Sequence, residues 1–290
     1  MHLLKRILLL SLTNLLVVFT LSIVFSVFNI SPYLSDFGID YTQLMIFCLL
    51  WGLGGSFISL LLSKTMAKWM MGIKIISRDD GEFQKIYEKI EKISKKNDLK
   101  MPEVGIYNSK EMNAFATGPS KNNSLVAIST GLIEKLNDEE VEGVIGHEIA
   151  HIKNGDMITM TIIQGVINAF VMFLARVIAW GISSRNSDED SSGSYFLTRF
   201  ILEIVLSIFG LILVNYFSRI REFKADLKSA ENLGKEKMIS ALKALQNNIY
   251  EEKGQALNTL KITNKPNKFI SLFSTHPSLE DRIKTLENIK

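Results

Sequence analysis

Gly146-His147-Glu148-Ile149-Ala150-His151-Ile152-Lys153-Asn154-Gly155-Asp156 is the stretch on which the reading of this chain turns. Side chains four apart on an α-helix lie one above the other on the same face. His147 and His151 are so spaced, so both imidazoles can reach one Zn²⁺ ion, and Glu148 stands beside the first, placed to accept a proton from water at the metal. With four histidines in the chain, chance produces the pattern in on the order of 0.01 of such sequences. The helix should begin near Asn137, whose side chain can cap while Glu140 reaches back, with Val141, Val144 and Ile145 as its buried stripe.

Outward from this motif the apolar residues are grouped. The 290 residues are 47% hydrophobic and 22% charged with a mean hydropathy of +0.17, too high for a dispersed soluble composition. Four stretches, about 7–30, 43–63, 157–182 and 198–217, are long enough to cross a hydrocarbon core of about 30 Å. Arg176, Arg199 and Glu203 are their only charges. Residues 1–40 contain no alanine, hence no A-x-A cleavage site, and the first stretch reads as a retained anchor. Lys5, Arg6, Lys64, Lys68, Lys153, Arg219 and Arg221 flank one set of span ends, and the connectors carry Asp36, Asp40, Arg185, Asp188, Glu189 and Asp190. The excess of Lys and Arg puts both termini and the middle segment in the cytoplasm. A hairpin 157–217 would bring Arg176 and Glu203 to similar depth, where they could pair or snorkel separately. The net charge of +3 argues against nucleic acid, and the single Cys48 excludes an intramolecular disulfide and a multi-cysteine cluster.

Residues 64–155 read as a compact α+β unit. Phe83, Ile86, Ile90 and Ile93 predict a helix over about 81–96. Strand-like runs follow at 104–107, 113–117 and 125–129, the last two joined by a Gly-Pro-Ser-Lys-Asn-Asn turn. Later helices are expected around 235–248 and 279–289, with 254–268 as loop between them. A catalytic zinc site takes a third protein ligand and leaves one position for water. His2 and His276 remain, but a carboxylate more often completes the motif. Glu222 and Asp226, at i and i+4 just past the last span, offer a ligand and an acceptor for a ligand histidine's other N–H.

These residues resemble the HtpX family of bacterial inner-membrane zinc metalloproteases and, more distantly, the membrane proteases that cleave prenylated CaaX proteins. The matching elements are Leu12-Thr13-Asn14, Asn113-Ala114-Phe115-Ala116-Thr117-Gly118, Ser129-Thr130-Gly131-Leu132, the run Gly146 to Asp156, Ser218-Arg219-Ile220-Arg221-Glu222-Phe223-Lys224-Ala225-Asp226, and Ser274-Thr275-His276-Pro277. The resemblance implies one Zn²⁺ per chain on His147, His151 and Glu222, Glu148 as base, Asp226 behind the ligands, and Asn154 and Asp156 beside them. It also implies that Asn113, Ala114, Phe115, Ala116 and Thr117 form an edge strand on which an extended protein substrate pairs. His276 is either a donor to the developing oxyanion or a capping or packing residue before the helix beginning at Ser278, and Arg219 and Arg221 are the other oxyanion candidates. Ser229 departs from the family pattern, where glycine is common.

The expected architecture is a mainly α membrane protein with four spans in two hairpins and a cytoplasmic α+β zincin-like domain. It divides into 1–63 (hairpin), 64–156 (catalytic part), 157–217 (second hairpin) and 218–290 (third ligand). The expected activity is endoproteolysis of cytosol-facing segments of misfolded or damaged membrane proteins at the bacterial inner membrane. The lipid bilayer and protein substrates are then its partners. A protease of lipidated peptides and a non-catalytic zinc-stabilised scaffold are the competing readings.

Overall fold

A computed structural model of the chain describes residues 41–183, 191–257 and 274–289. The first predicted span, 7–30, the connector 184–190 and most of the predicted 254–268 loop lie outside these residues. The described elements are α1 (Tyr41–Met71), β1 (Lys74–Ile76), α2 (Gln84–Lys96), β2 (Glu103–Tyr107), β3 (Ala114–Ser120), β4 (Asn123–Ser129), α3 (Thr130–Lys135), α4 (Asp138–Asn154), α5 (Asp156–Ser183), α6 (Ser191–Leu233), α7 (Lys235–Leu257) and α8 (Leu279–Glu287). Among them three helices, Tyr41–Met71, Asp156–Ser183 and Gly193–Leu233, are long and apolar enough to cross a membrane. The last span and the segment carrying Glu222 are one unbroken helix. Helix α7 continues to Leu257, so 254–257 are helical and not loop. Gln255, Ala256 and Leu257 are good helix formers that outweigh the lone Gly254.

The described chain forms two compact units. One holds 41–58, 160–183, 191–216 and 274; the other holds 59–159, 217–257 and 275–289. In the first, Leu44, Cys48, Ala169 and Met172 make an apolar cluster. Gly52 lets α1 and α5 meet there, since a Cβ on it would lie 2.5 Å from the carbonyl oxygen of Gly165. Arg176 and Glu203 pair at 3.1 Å, both buried. Of the two arrangements open from sequence, the structure takes the one that leaves neither charge unpartnered.

The second unit is built on a four-stranded sheet in the order β1-β2-β4-β3. β1 runs antiparallel to β2, β2 parallel to β4 and β4 antiparallel to β3. β1, three residues long, is too short to show a sequence period. The β3–β4 hairpin is longer than predicted: the strands run to Ser120 and from Asn123, with an irregularity between Thr117 and Ser120 that absorbs Gly118 (φ +139°) and Pro119. Ile76, Ile86, Ile90, Ile93, Val104, Val126 and Ile128 bury against Val141, Ile145, Ile149 and Ile152 of α4. The apolar faces of the sheet and of two helices thus clamp the metal-motif helix in the centre of the core.

Helix α4 begins at the predicted cap. Asn137 Oδ1 accepts the N–H groups of Glu139 and Glu140 at 3.0 Å each, and Glu140 Oε2 accepts that of Asn137 at 3.0 Å. It ends at Gly155 in the left-handed conformation (φ +72°). Two glycines inside it admit the other helices. A Cβ at Gly143 would stand 2.7 Å from the Lys237 carbonyl oxygen, and one at Gly146 would stand 2.5 Å from Ser229 Oγ. The Ser229 hydroxyl donates to the Gly143 carbonyl at 3.2 Å, which is how this chain accommodates serine at that site. Gly143→Ala should therefore lower the thermal stability of the detergent-solubilised protein. The overpacking cost of about 1–3 kcal/mol outweighs the about 1 kcal/mol that alanine gains in helix propensity, and a raised unfolding temperature would refute the close contact.

Candidate metal centre

His147 and His151 sit on consecutive turns of α4 with their rings edge to face and centroids 4.6 Å apart. Their Nε2 atoms are 3.0 Å from each other. Glu222, from α6, brings one carboxylate oxygen 3.3 Å from His147 Nε2 and the other 3.3 Å from His151 Nε2. Zinc bonds of about 2.0–2.1 Å set at tetrahedral angles separate ligand atoms by about 3.3 Å, so this triangle has the size of one face of a zinc tetrahedron. All three side chains are buried.

The remaining ring nitrogens are held from behind. His147 Nδ1 lies 2.8 Å from Asp226 Oδ1, and His151 Nδ1 lies 2.6 Å from Asp156 Oδ2. An Nδ1–H donated to a carboxylate fixes the tautomer that leaves the Nε2 lone pair facing the metal. Asp226 is in turn gripped by Arg282 of α8, whose Nε and Nη2 donate to its two oxygens at 2.7 and 2.6 Å. Arg282 Nη1 also lies 3.7 Å from Glu222 Oε2. This cluster buries four carboxylates, Glu148, Asp156, Glu222 and Asp226, against the single fixed positive charge of Arg282. Burial of uncompensated charge is strongly unfavourable. A divalent cation on His147, His151 and Glu222 answers that imbalance, and the donor set of two imidazoles and a carboxylate suits zinc.

Proton occupancy follows the same logic. In the protein without metal, burial pushes the His147 imidazole down. Its hydrogen bonds to Asp226 and Glu222 outweigh this and raise its pKa to about 9. Burial alone would raise Glu222, but hydrogen bonds from His147, His151 and His276 hold it far below the usual carboxylate range. Asp226 is likewise held down, against its burial, by Arg282 and His147.

The other predicted residues are placed as follows. Glu148 is buried next to His147. His276 is more than half exposed, and its Nδ1 lies 2.8 Å from Glu222 Oε2. The cap of α8 is Ser278, whose Oγ accepts the Asp281 N–H at 3.0 Å, so capping is not the role of His276. Arg221 Nη2 reaches Glu222 Oε1 at 3.4 Å, while Arg219 is half-buried one turn before Glu222. Asn154 corrects the expectation: it is exposed at the end of α4. The left-handed turn at Gly155 carries Asp156 back to His151 and leaves Asn154 facing outward. Asn113 precedes the strand; its N–H donates to Ser129 Oγ at 3.1 Å and its carbonyl accepts the Ser129 N–H at 3.0 Å. Ala114 to Thr117 lie in β3, the outer strand of the sheet.

Arg282 was not among the residues predicted from sequence. Its signal was a charge inside the apolar stripe Leu279, Ile283, Leu286 of a short helix. That stripe packs on Met238 and Leu242 of α7 and so aims the guanidinium at Asp226.

Comparison with known proteins agrees with this geometry. Residues 80–290 match peptidase family M48. The chain is 46% identical to a "Protease HtpX homolog" of Methylacidiphilum infernorum, over 98% of this chain and 99% of that protein. It is 48% identical to a "Protease HtpX homolog" of Bacillus subtilis, over the same shares. In fold it is similar to the crystal structure of S. mikatae Ste24p, with a TM-score of 0.63 and 16% identity, covering 98% of this chain and 62% of that one. The chain belongs to peptidase family M48 and is a metallopeptidase.

Two outcomes are expected from the site. In the metal-free protein ¹⁵N-labelled at histidine, the His147 imidazole should still be protonated at pH 8; titration near its ordinary value would contradict the hydrogen-bonded geometry. Asp226→Asn, which keeps an acceptor for His147 but removes the charge and the pair with Arg282, should weaken zinc binding about 10- to 100-fold in competition with a chelator. Unchanged affinity would remove Asp226 from its place behind the ligand.

Proposed function

We propose that this M48 metallopeptidase is a zinc endopeptidase of the bacterial inner membrane that cleaves cytosol-facing segments of membrane proteins, damaged or misassembled ones among them. The observation that carries the reading is the convergence of His147, His151 and Glu222 next to Glu148, on a chain whose helices α1, α5 and α6 have the length and apolarity of membrane spans. Lys64, Lys68, Lys153, Arg219 and Arg221 beside the ends of the apolar stretches support a cytoplasmic catalytic part.

Zinc, when bound, supplies Lewis acidity toward the scissile carbonyl. Glu148 takes the proton of the attacking water and returns it to the leaving amine. An extended substrate pairs along β3, whose Ala114 to Thr117 offer backbone groups that read any sequence. His276 and Arg221, both against Glu222, are the side chains that donate to the developing oxyanion. Asp226, with Arg282 behind it, keeps His147 in the tautomer and orientation that the reaction needs.

Glu148→Gln separates catalysis from metal binding. Casein hydrolysis in detergent with added Zn²⁺ should fall by about 10²- to 10⁴-fold, the usual worth of general acid–base catalysis, while zinc content stays as in the parent. Undiminished hydrolysis would remove Glu148 from the mechanism.

A further inference from the structure

Helix α1 runs eight residues past the apolar stretch 43–63, and those eight include Lys64 and Lys68. By composition the two lysines mark the end of the lipid-facing helix. Their side chains turn instead to the sheet. Lys64 Nζ pairs with Glu103 Oε1 at 2.7 Å and donates to Asn123 Oδ1 at 2.6 Å, and Lys68 pairs with the other oxygen of Glu103. At about 100° per residue, the line Ile58, Leu62, Met66 and Trp69 lies about a third of a turn away from the lysines. That line is exposed throughout, and Trp69 is 84% exposed. Met70 and Met71 extend it. Beyond the left-handed Gly72, Ile75 of β1 is exposed while Ile73 and Ile76 are buried.

Such a strip in water would forgo about 25 cal/mol for each Å² of apolar area left wet. Ile46, Leu50, Phe57 and Leu61 of the same helix are exposed as well. The 28 residue steps from Tyr41 to Trp69, both exposed, amount to about 42 Å of helix, the thickness of a bilayer including its headgroup regions (about 40–45 Å). Tyrosine and tryptophan are the side chains that settle at the two interfaces.

We propose that Leu62, Met66, Trp69, Met70 and Ile75 form a lipid-contacting surface of the catalytic unit, with the Trp69 ring at the headgroup level of the cytoplasmic leaflet. The membrane boundary then falls beyond Met71 and not at Lys64, and β1 rests on the bilayer. Glu103 makes this possible by pairing with both lysines and holding them against the sheet, away from the apolar strip. The inference rests on the membrane part of the proposed function and is independent of the peptidase chemistry.

The test uses the full chain in vesicles of phosphatidylcholine and phosphatidylglycerol. Trp51→Phe and Trp180→Phe leave Trp69 as the sole tryptophan; zinc content and casein hydrolysis check that variant. If it does not fold, the difference between the parent and Trp69→Phe gives the same spectrum. Lipids brominated near the headgroup should quench Trp69 emission, and lipids brominated deep in the acyl chain should quench it less. Absence of bromolipid quenching overturns the proposal, either with the ring open to aqueous iodide or with it shielded from both quenchers under protein. Because the readout is fluorescence, a chain that failed to hydrolyse casein would count against the peptidase reading alone.

Discussion

Two imidazole nitrogens and a carboxylate drawn to within 3.0–3.3 Å of one another repel unless a proton or a metal ion stands between them. Much of the second unit can be understood as the apparatus that holds these three groups together despite that repulsion. Asp226 and Asp156 point the histidines, Arg282 holds Asp226, and His276 and Arg221 lie against Glu222. With four buried carboxylates around one buried guanidinium, metal and fold are energetically linked: what binds the ion also removes the charge imbalance of the apo core.

Geometry of this kind needs a rigid frame. Helix α4 is pinned at its start by the Asn137–Glu140 box, at its end by Gly155, and along its length by the sheet and α2. Its glycines let the α7 backbone come close at Gly143 and the side chains of Ser229 and Leu233, on the Glu222-bearing helix, come close at Gly146. A larger side chain at Gly143 would move an element that carries or buttresses a ligand, not merely strain the core. The long α6 carries both an apolar stretch of membrane-span length and Glu222 in one uninterrupted helix.

Local pattern made much of this legible from sequence. The i, i+4 histidines, the capping box, the isoleucine stripe of α2 and the short strand-like runs that became β2 to β4 each announce themselves within a few residues. Glu222 and Asp226 were readable because they too are i, i+4 and follow directly on an apolar stretch of span length. What was not legible depended on long-range packing or on single-residue geometry. Arg282 meets a partner 56 residues away, and only the docking of α8 on α7 aims it there. Asn154 and Asp156 stand two apart around a glycine whose left-handed turn decides which of them faces His151. The persistence of helix through Gly254 and the pairing of the three-residue β1 were likewise decided by neighbours that periodicity does not record. Lys64 and Lys68 show the converse: composition marks them as the end of a span, and Glu103 draws their side chains to the sheet.

The central claim is that His147, His151 and Glu222 share one zinc ion. Zinc content and zinc K-edge absorption, measured on the purified parent and on Glu222→Ala, test it most directly. The account predicts one zinc per parent chain, with two imidazole nitrogens and carboxylate oxygen in its first shell, and loss of most of the metal from the variant. A Glu222→Ala protein with full zinc content and an unchanged first shell would contradict it.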